Sequence, residues 1–110
     1  AYTIAKYGMS LCVLGMRAEF ASIGIAVNAL WPRTVIATAA IGMIDGVKVE
    51  HCRKPEIVAD AAHVILSRPA RDYTGHFAID EDVLRETGLG DFANYAVQPG
   101  MSLLPDLFLD

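Results

Sequence analysis

Ile25-Ala-Val-Asn-Ala-Leu30, followed by Trp31 and Pro32, is the stretch on which the fold turns. A short, almost wholly apolar run lacks the alternation of a half-exposed strand, so it predicts a strand buried on both faces of a parallel sheet, with Pro32 ending the ladder. Asn28 is its one polar intrusion. Upstream, residues 2 to about 22 contain no proline and are rich in Ala, Leu, Met and Ile, which predicts one long helix ending near Ser22 to Gly24. Its apolar positions, among them Ile4, Met9, Leu11, Cys12, Leu14 and Phe20, run nearly round the axis, the pattern of a helix covered on several sides. Downstream, Arg33 to Lys54 mixes a Thr/Ala/Ile stretch with breakers at Gly42, Asp45 and Gly46, and predicts a mobile loop with helical pieces. Pro55 suits the first turn of a helix over Glu56 to Leu66, whose apolar residues recur at helical spacing. Thr74-Gly75 then makes a turn, residues 76 to 79 a short strand, and Glu81 to Glu86 a helical turn ended by Gly88.

Helix, buried strand, helix, strand is an α/β pattern, yet two strands do not make an independent sheet of that class. The chain therefore reads as one unit, residues 1–110, belonging to a larger sheet. Composition agrees, since 54% hydrophobic residues and a mean hydropathy of +0.37 are high for a small soluble domain and imply apolar surface facing other polypeptide. A net charge of -4 with scattered basic residues argues against nucleic acid or an anionic membrane as partner. No apolar stretch is long enough to suggest a membrane span, and Cys12 and Cys52 suggest neither a disulfide framework nor a zinc site. A reducing, cytoplasmic setting is the expectation.

Tyr2 and Lys6 stand four residues apart, on one face of the first helix. An ammonium beside a phenol stabilises the phenolate and brings the hydroxyl closer to proton exchange at neutral pH. Such a pair also arises by chance in many chains, so its weight comes from context. The helix is followed by an apolar strand with Asn28, then Pro32, then a segment opening at Thr34 and Thr38, then Thr74-Gly75-His76-Phe77-Ala78-Ile79-Asp80. In that order and spacing the chain resembles the C-terminal half of the short-chain dehydrogenase/reductase family. Tyr-Thr-Ile-Ala-Lys-Tyr-Gly-Met-Ser, Asn-Ala-Leu-Trp-Pro-Arg-Thr, Ala-Asp-Ala-Ala and the tail ending Leu-Leu-Pro-Asp-Leu-Phe-Leu-Asp look like its hydroxysteroid dehydrogenase-like branch.

The resemblance implies the C-terminal part of a doubly wound, Rossmann-type parallel sheet, with the glycine-rich phosphate turn and the catalytic serine upstream of Ala1. It implies Tyr2 as general acid/base, Lys6 as the group that tunes it and holds the nicotinamide ribose of NAD or NADP, and Pro32, Ile36 and Thr38 as contacts to the carboxamide. Residues 36 to 54 become the substrate lid. The implied reaction interconverts a secondary alcohol and a carbonyl on an apolar substrate, in a homo-oligomer joined through the first helix. Two departures from the family pattern stand out: Arg33 replaces the usual glycine after the proline, with Thr38 one residue late, and Asp80-Glu81-Asp82 replaces the usual Asp-Gly-Gly. A non-catalytic oligomerisation module, or pseudoenzyme of the same fold, is the alternative.

Other residues read blandly. His51, His63 and His76 share no metal-ligand spacing, so no metal is expected. Cys12 reads as a small buried hydrophobe and Cys52, in the loop, as the reactive thiol. The acidic run at 80 to 82 reads as a solvated helix start, and Arg53 and Asp60 carry no evident role.

Overall fold

Freedom from proline gives the long helix its length. In the computed structural model, which describes residues 1–107, α1 runs Tyr2–Phe20 and tightens into a 3-10 turn, Ala21–Ile23. Gly24 ends it with φ 75°, a left-handed conformation that glycine adopts without a Cβ clash. Phe108, Leu109 and Asp110, the last residues of the tail match, lie outside the described residues.

The strand is shorter than the apolar run. β1 is Ala29–Trp31 and pairs in parallel with β2, Phe77–Ile79, in the register Ala29 to Phe77, Leu30 to Ala78 and Trp31 to Ile79. Before Ala29 the ladder is partly built from side chains. Val27 N–H donates to Thr74 Oγ1 at 3.0 Å, Asn28 Nδ2 donates to the Tyr73 carbonyl, and the Asn28 Oδ1 accepts from His76 N–H. The polar intrusion in the run thus marks where the strand pairing begins. Gly75, at φ 78° between Thr74 and His76, is pressed by the Arg17 side chain, which a Cβ there would strike.

A parallel pair requires a crossover, and α2, Glu56–Leu66, supplies it, starting directly after Pro55 as its spacing predicts. Ile57 and Ala61 of α2 pack with Ala78 of β2, with Val83 and Leu84 of α3 (Asp80–Glu86), and with Phe92, forming the core. The architecture is therefore an α/β unit on a two-stranded parallel sheet; the described residues do not by themselves form a doubly wound sheet.

Three readings of single elements change. α1 buries only Ser10 and Val13 within this chain, while Ile4, Leu11 and Leu14 are exposed, so its all-round apolar pattern is not matched by cover from the described residues. The segment after Pro32 has its expected helical pieces as 3-10 turns at Ala39–Met43 and Val49–His51, and what the loop reading lacked is its base, fastened by bridges that join Ile36 to Arg53, Arg53 to Ala96 and Thr34 to Pro105. Asp80 is not a solvated helix start: it is fully buried, its Oδ1 accepting from Arg33 N–H at 2.9 Å and Glu81 N–H at 2.7 Å while its Oδ2 has no hydrogen-bond partner among the described residues.

Candidate active site

Strand direction and helix phase put one cleft beside the carboxyl end of β1. Tyr2 and Lys6 lie one turn apart at the start of α1, and the next turns of the same face add Met9, Ser10 and Val13. The opposite wall is Asn28 to Pro32, and Asp106 sits at the rim. The cleft is partly open and has a volume of about 340 Å³, within the range of small-molecule clefts. In open parallel sheets, ligands bind outside the carboxyl ends of the strands, and the lining runs along β1 to Trp31 and Pro32 at that end.

Lys6 Nζ lies 5.4 Å from the centroid of the Tyr2 ring, close enough for an ammonium to act on the π face or to share a ligand with the hydroxyl. Tyr2 is 58% exposed in this chain and lines the cleft. Trp31 is braced against α1 by an edge-on contact with Tyr7, ring centroids 5.6 Å apart. Lys6 is the only cation and Asp106 the only acid among the lining residues; Met9, Val13, Leu30, Trp31 and Pro32 make the rest largely apolar.

Of the residues singled out in the sequence, Tyr2, Lys6 and Pro32 share this cleft. Ile36 and Thr38 are not among its lining residues: Ile36 packs on the hydrophobic core, and Thr38 is exposed, its carbonyl accepting from Ile41 N–H at the 3-10 turn. Ser10, Trp31 and Asp106 line the cleft without having been singled out. Ser10 was legible in principle, since helical spacing puts it on the Lys6 face, whereas Asp106 is brought to the site by long-range contacts, among them the bond from its N–H to the Arg33 carbonyl.

Beyond the cleft, Cys12 is exposed and Cys52 fully buried, the reverse of the sequence reading. Burial, helped by the Glu50 charge, pushes the Cys52 thiol up, so it is not a ready nucleophile. Arg53 and Asp60 have partners after all. Arg53 pairs with Glu81 in a buried setting, and Asp60 accepts from the Tyr95 hydroxyl at 2.7 Å. That bond, with burial and the Asp60 charge, pushes Tyr95 up to about 12, which disfavours it as a proton donor or acceptor at neutral pH. His51 Nδ1 lies 2.7 Å from the Ser102 carbonyl and His76 stacks on Tyr73. Among the described residues, no three His, Cys, Asp or Glu side chains come together as a metal site, and no helix is long and apolar enough to cross a membrane.

A parallel α/β unit with a Tyr-x-x-x-Lys helix beside a strand end is the arrangement of a short-chain dehydrogenase, and solved structures of that kind superpose on it. A Xanthomonas campestris protein described as a candidate dehydrogenase has TM-score 0.94 and 58% identity over 99% of this chain and 40% of its own; a short-chain dehydrogenase from Mycobacterium thermoresistibile has 0.88 and 48% over 99% and 39%. More particularly, the sequence relatives are named hydroxysteroid dehydrogenase-like protein 2. Those of Rattus norvegicus, Danio rerio and Homo sapiens are 61%, 60% and 56% identical across the whole chain, which covers 21%, 26% and 26% of their lengths. The resemblance read from the motifs is thus a homology along the entire chain, which spans about a quarter of these relatives. No protein-family model matches.

Proposed function

We propose that this chain is the C-terminal part of one doubly wound dinucleotide-binding domain, and that the complete protein is an NAD- or NADP-dependent oxidoreductase interconverting a secondary alcohol and a carbonyl on an apolar substrate. The observation that carries the reading is Tyr2 and Lys6 facing one cleft at the carboxyl end of β1. A cofactor fits at its nicotinamide-ribose end: the cleft offers an ammonium for ribose hydroxyls and apolar walls for the ring. Lys6 and Tyr2 would hold the ribose, with Pro32 on the carboxamide side; Ile36 and Thr38 lie outside this cleft, and we assign them no contact with the group. When bound, NAD or NADP accepts or returns the hydride.

The chain's own residues handle the proton. In the oxidation direction the Tyr2 phenolate takes the proton of the substrate hydroxyl, and in reduction the phenol returns it to the alkoxide. Lys6, its Nζ 5.4 Å from the Tyr2 ring centroid, sets a positive charge beside the oxygen that takes up and returns the proton. Met9, Val13, Leu30 and Trp31 reduce the water around the reacting groups. The non-catalytic module is disfavoured because it gives this shared cleft no purpose. Unpaired Cys12 and Cys52 fit the reducing, cytoplasmic setting we assign.

Replacing Tyr2 with Phe in the complete protein removes only the ionisable oxygen. Turnover falls by about 10²–10⁴-fold, the usual worth of a general acid/base, while cofactor affinity by titration changes little. Turnover within tenfold of wild type would refute the role.

A further inference from the structure

The two departures from the family pattern meet in space. Arg33, where glycine is usual, places Nη2 at 2.6 and 2.7 Å from the two carboxylate oxygens of Asp82, which itself stands where glycine is usual, 49 residues away. Arg33 is held at its backbone too. Its N–H donates to Asp80 Oδ1, and its carbonyl accepts from Asp106 N–H. At the far end of the same segment, Arg53 pairs with Glu81, the residue between them on α3. Val35 and Arg53 are joined by a backbone bond, so entry and exit of the 34–52 segment lie side by side.

The geometry points to Arg33 as a positioning residue: its clamp on the start of α3 holds the rim of the cleft, Pro32 on one side and Asp106 on the other, and so sets how tightly substrate is held. The inference rests on the cleft being the substrate site. Stability is not the purpose of the pair, since its side chains are 35% and 51% exposed, and exposed ion pairs contribute little to folding. A displaced rim, by contrast, is felt in binding, because small errors of placement at a site carry large kinetic effects. The short segment from Ser102 to Asp106 has few anchors: Leu104 N–H on the His51 carbonyl, the Leu104 carbonyl on Val35 N–H, Asp106 N–H on Arg33, and the Ser102 carbonyl on His51. Loss of the clamp at Arg33 loosens one end of that short list.

The test uses the complete protein with Arg33→Met, Asp82→Asn, and the exchange of charges Arg33→Asp with Asp82→Arg, read by hydrogen exchange of peptides spanning 33–37 and 102–107 and by steady-state kinetics on an apolar secondary alcohol. Each single change is expected to speed exchange in both peptides by about two- to fivefold and raise KM by about two- to fivefold, with kcat within about 1.5-fold. The double exchange restores both. Unchanged exchange, faster exchange with unchanged KM, or a double exchange that restores neither would overturn the inference. If the wild-type protein turns over no alcohol at all, it is the reading of Tyr2 that fails, and the exchange data still decide whether Arg33 holds the rim.

Discussion

Arg53→Met removes a buried charge and keeps most of its apolar stem. The Arg53 and Glu81 side chains retain 8% and 13% of their accessible surface, so the pair is nearly dry. Deleting one partner of a buried pair costs about 3–5 kcal/mol, because the other charge is left without compensation. Arg85 still reaches Glu81 Oε1 at 2.7 Å, which places the cost at the lower end, about 3 kcal/mol. In a domain of about 150–250 residues that corresponds to a fall in Tm of roughly 6–12 °C at neutral pH. The pH dependence has a definite sign. Burial pushes the Glu81 carboxyl up, but hydrogen bonds from Arg85 and Arg53 outweigh it and hold the group below its ordinary 4.5. The stability this provides is fully present above about pH 4.5 and is lost as pH falls through the lower folded value. The Asp80 dependence runs the other way in the wild-type protein, yet it too makes the difference between the two proteins shrink in acid. Burial raises it against the opposing bonds from Arg33 and Glu81 and the Arg53 charge, so losing Arg53 raises it further, and the penalty on its ionised form vanishes in acid. Thermal unfolding of the complete wild-type and Arg53→Met proteins at about pH 7 and about pH 3 should therefore show a difference that shrinks in acid. A fall under about 2 °C at neutral pH, or one equally large at both pH values, would refute the reasoning.

Cys52, fully buried with its thiol pushed up, should alkylate at least about a hundredfold more slowly in the native protein than in urea, measured by mass spectrometry; rapid native labelling would contradict the burial. The outer face of α1, where Leu11 and Leu14 are 65% and 53% exposed in this chain, is where we expect two copies of the complete protein to join, so Leu11→Asp should shift sedimentation toward the monomer. A wild-type protein that sediments as a monomer at tens of micromolar removes that proposal.

What the sequence disclosed depended on distance along the chain. The ends of α2 were legible because Pro55 and the apolar spacing of Ile57, Val58, Ala61 and Ile65 are local signals, and the Tyr2 and Lys6 alignment follows from helix geometry alone. The cysteines were misread for the opposite reason. Cys12 is apolar among apolar neighbours, but which side of α1 is covered depends on what packs there, and it is Ser10 and Val13 that are buried. Arg53 and Asp60 were given no role, and Asp80 was read as solvated, because their partners lie far off: Glu81 is 28 residues from Arg53, Tyr95 is 35 from Asp60, and Arg33 is 47 from Asp80.

The last of those contacts explains why a three-residue strand suffices to build one wall of the cleft. Slipping β1 by one residue against β2 would turn Leu30 and its neighbours to the wrong faces, and so short a pairing offers little hydrogen bonding to prevent it. At one end Asn28 spends both amide atoms on Tyr73 and His76, which fixes where pairing starts. At the other, Pro32 has no N–H to offer and the ladder cannot continue through it; the next donor, Arg33 N–H, is met by the Asp80 side chain instead of a backbone carbonyl. A one-residue slip would break both side-chain locks at once and leave the buried Asp80 carboxylate short of a donor. The register that sets Pro32 beside Tyr2 and Lys6 is thus enforced by Asn28 and Asp80 more than by the strand between them.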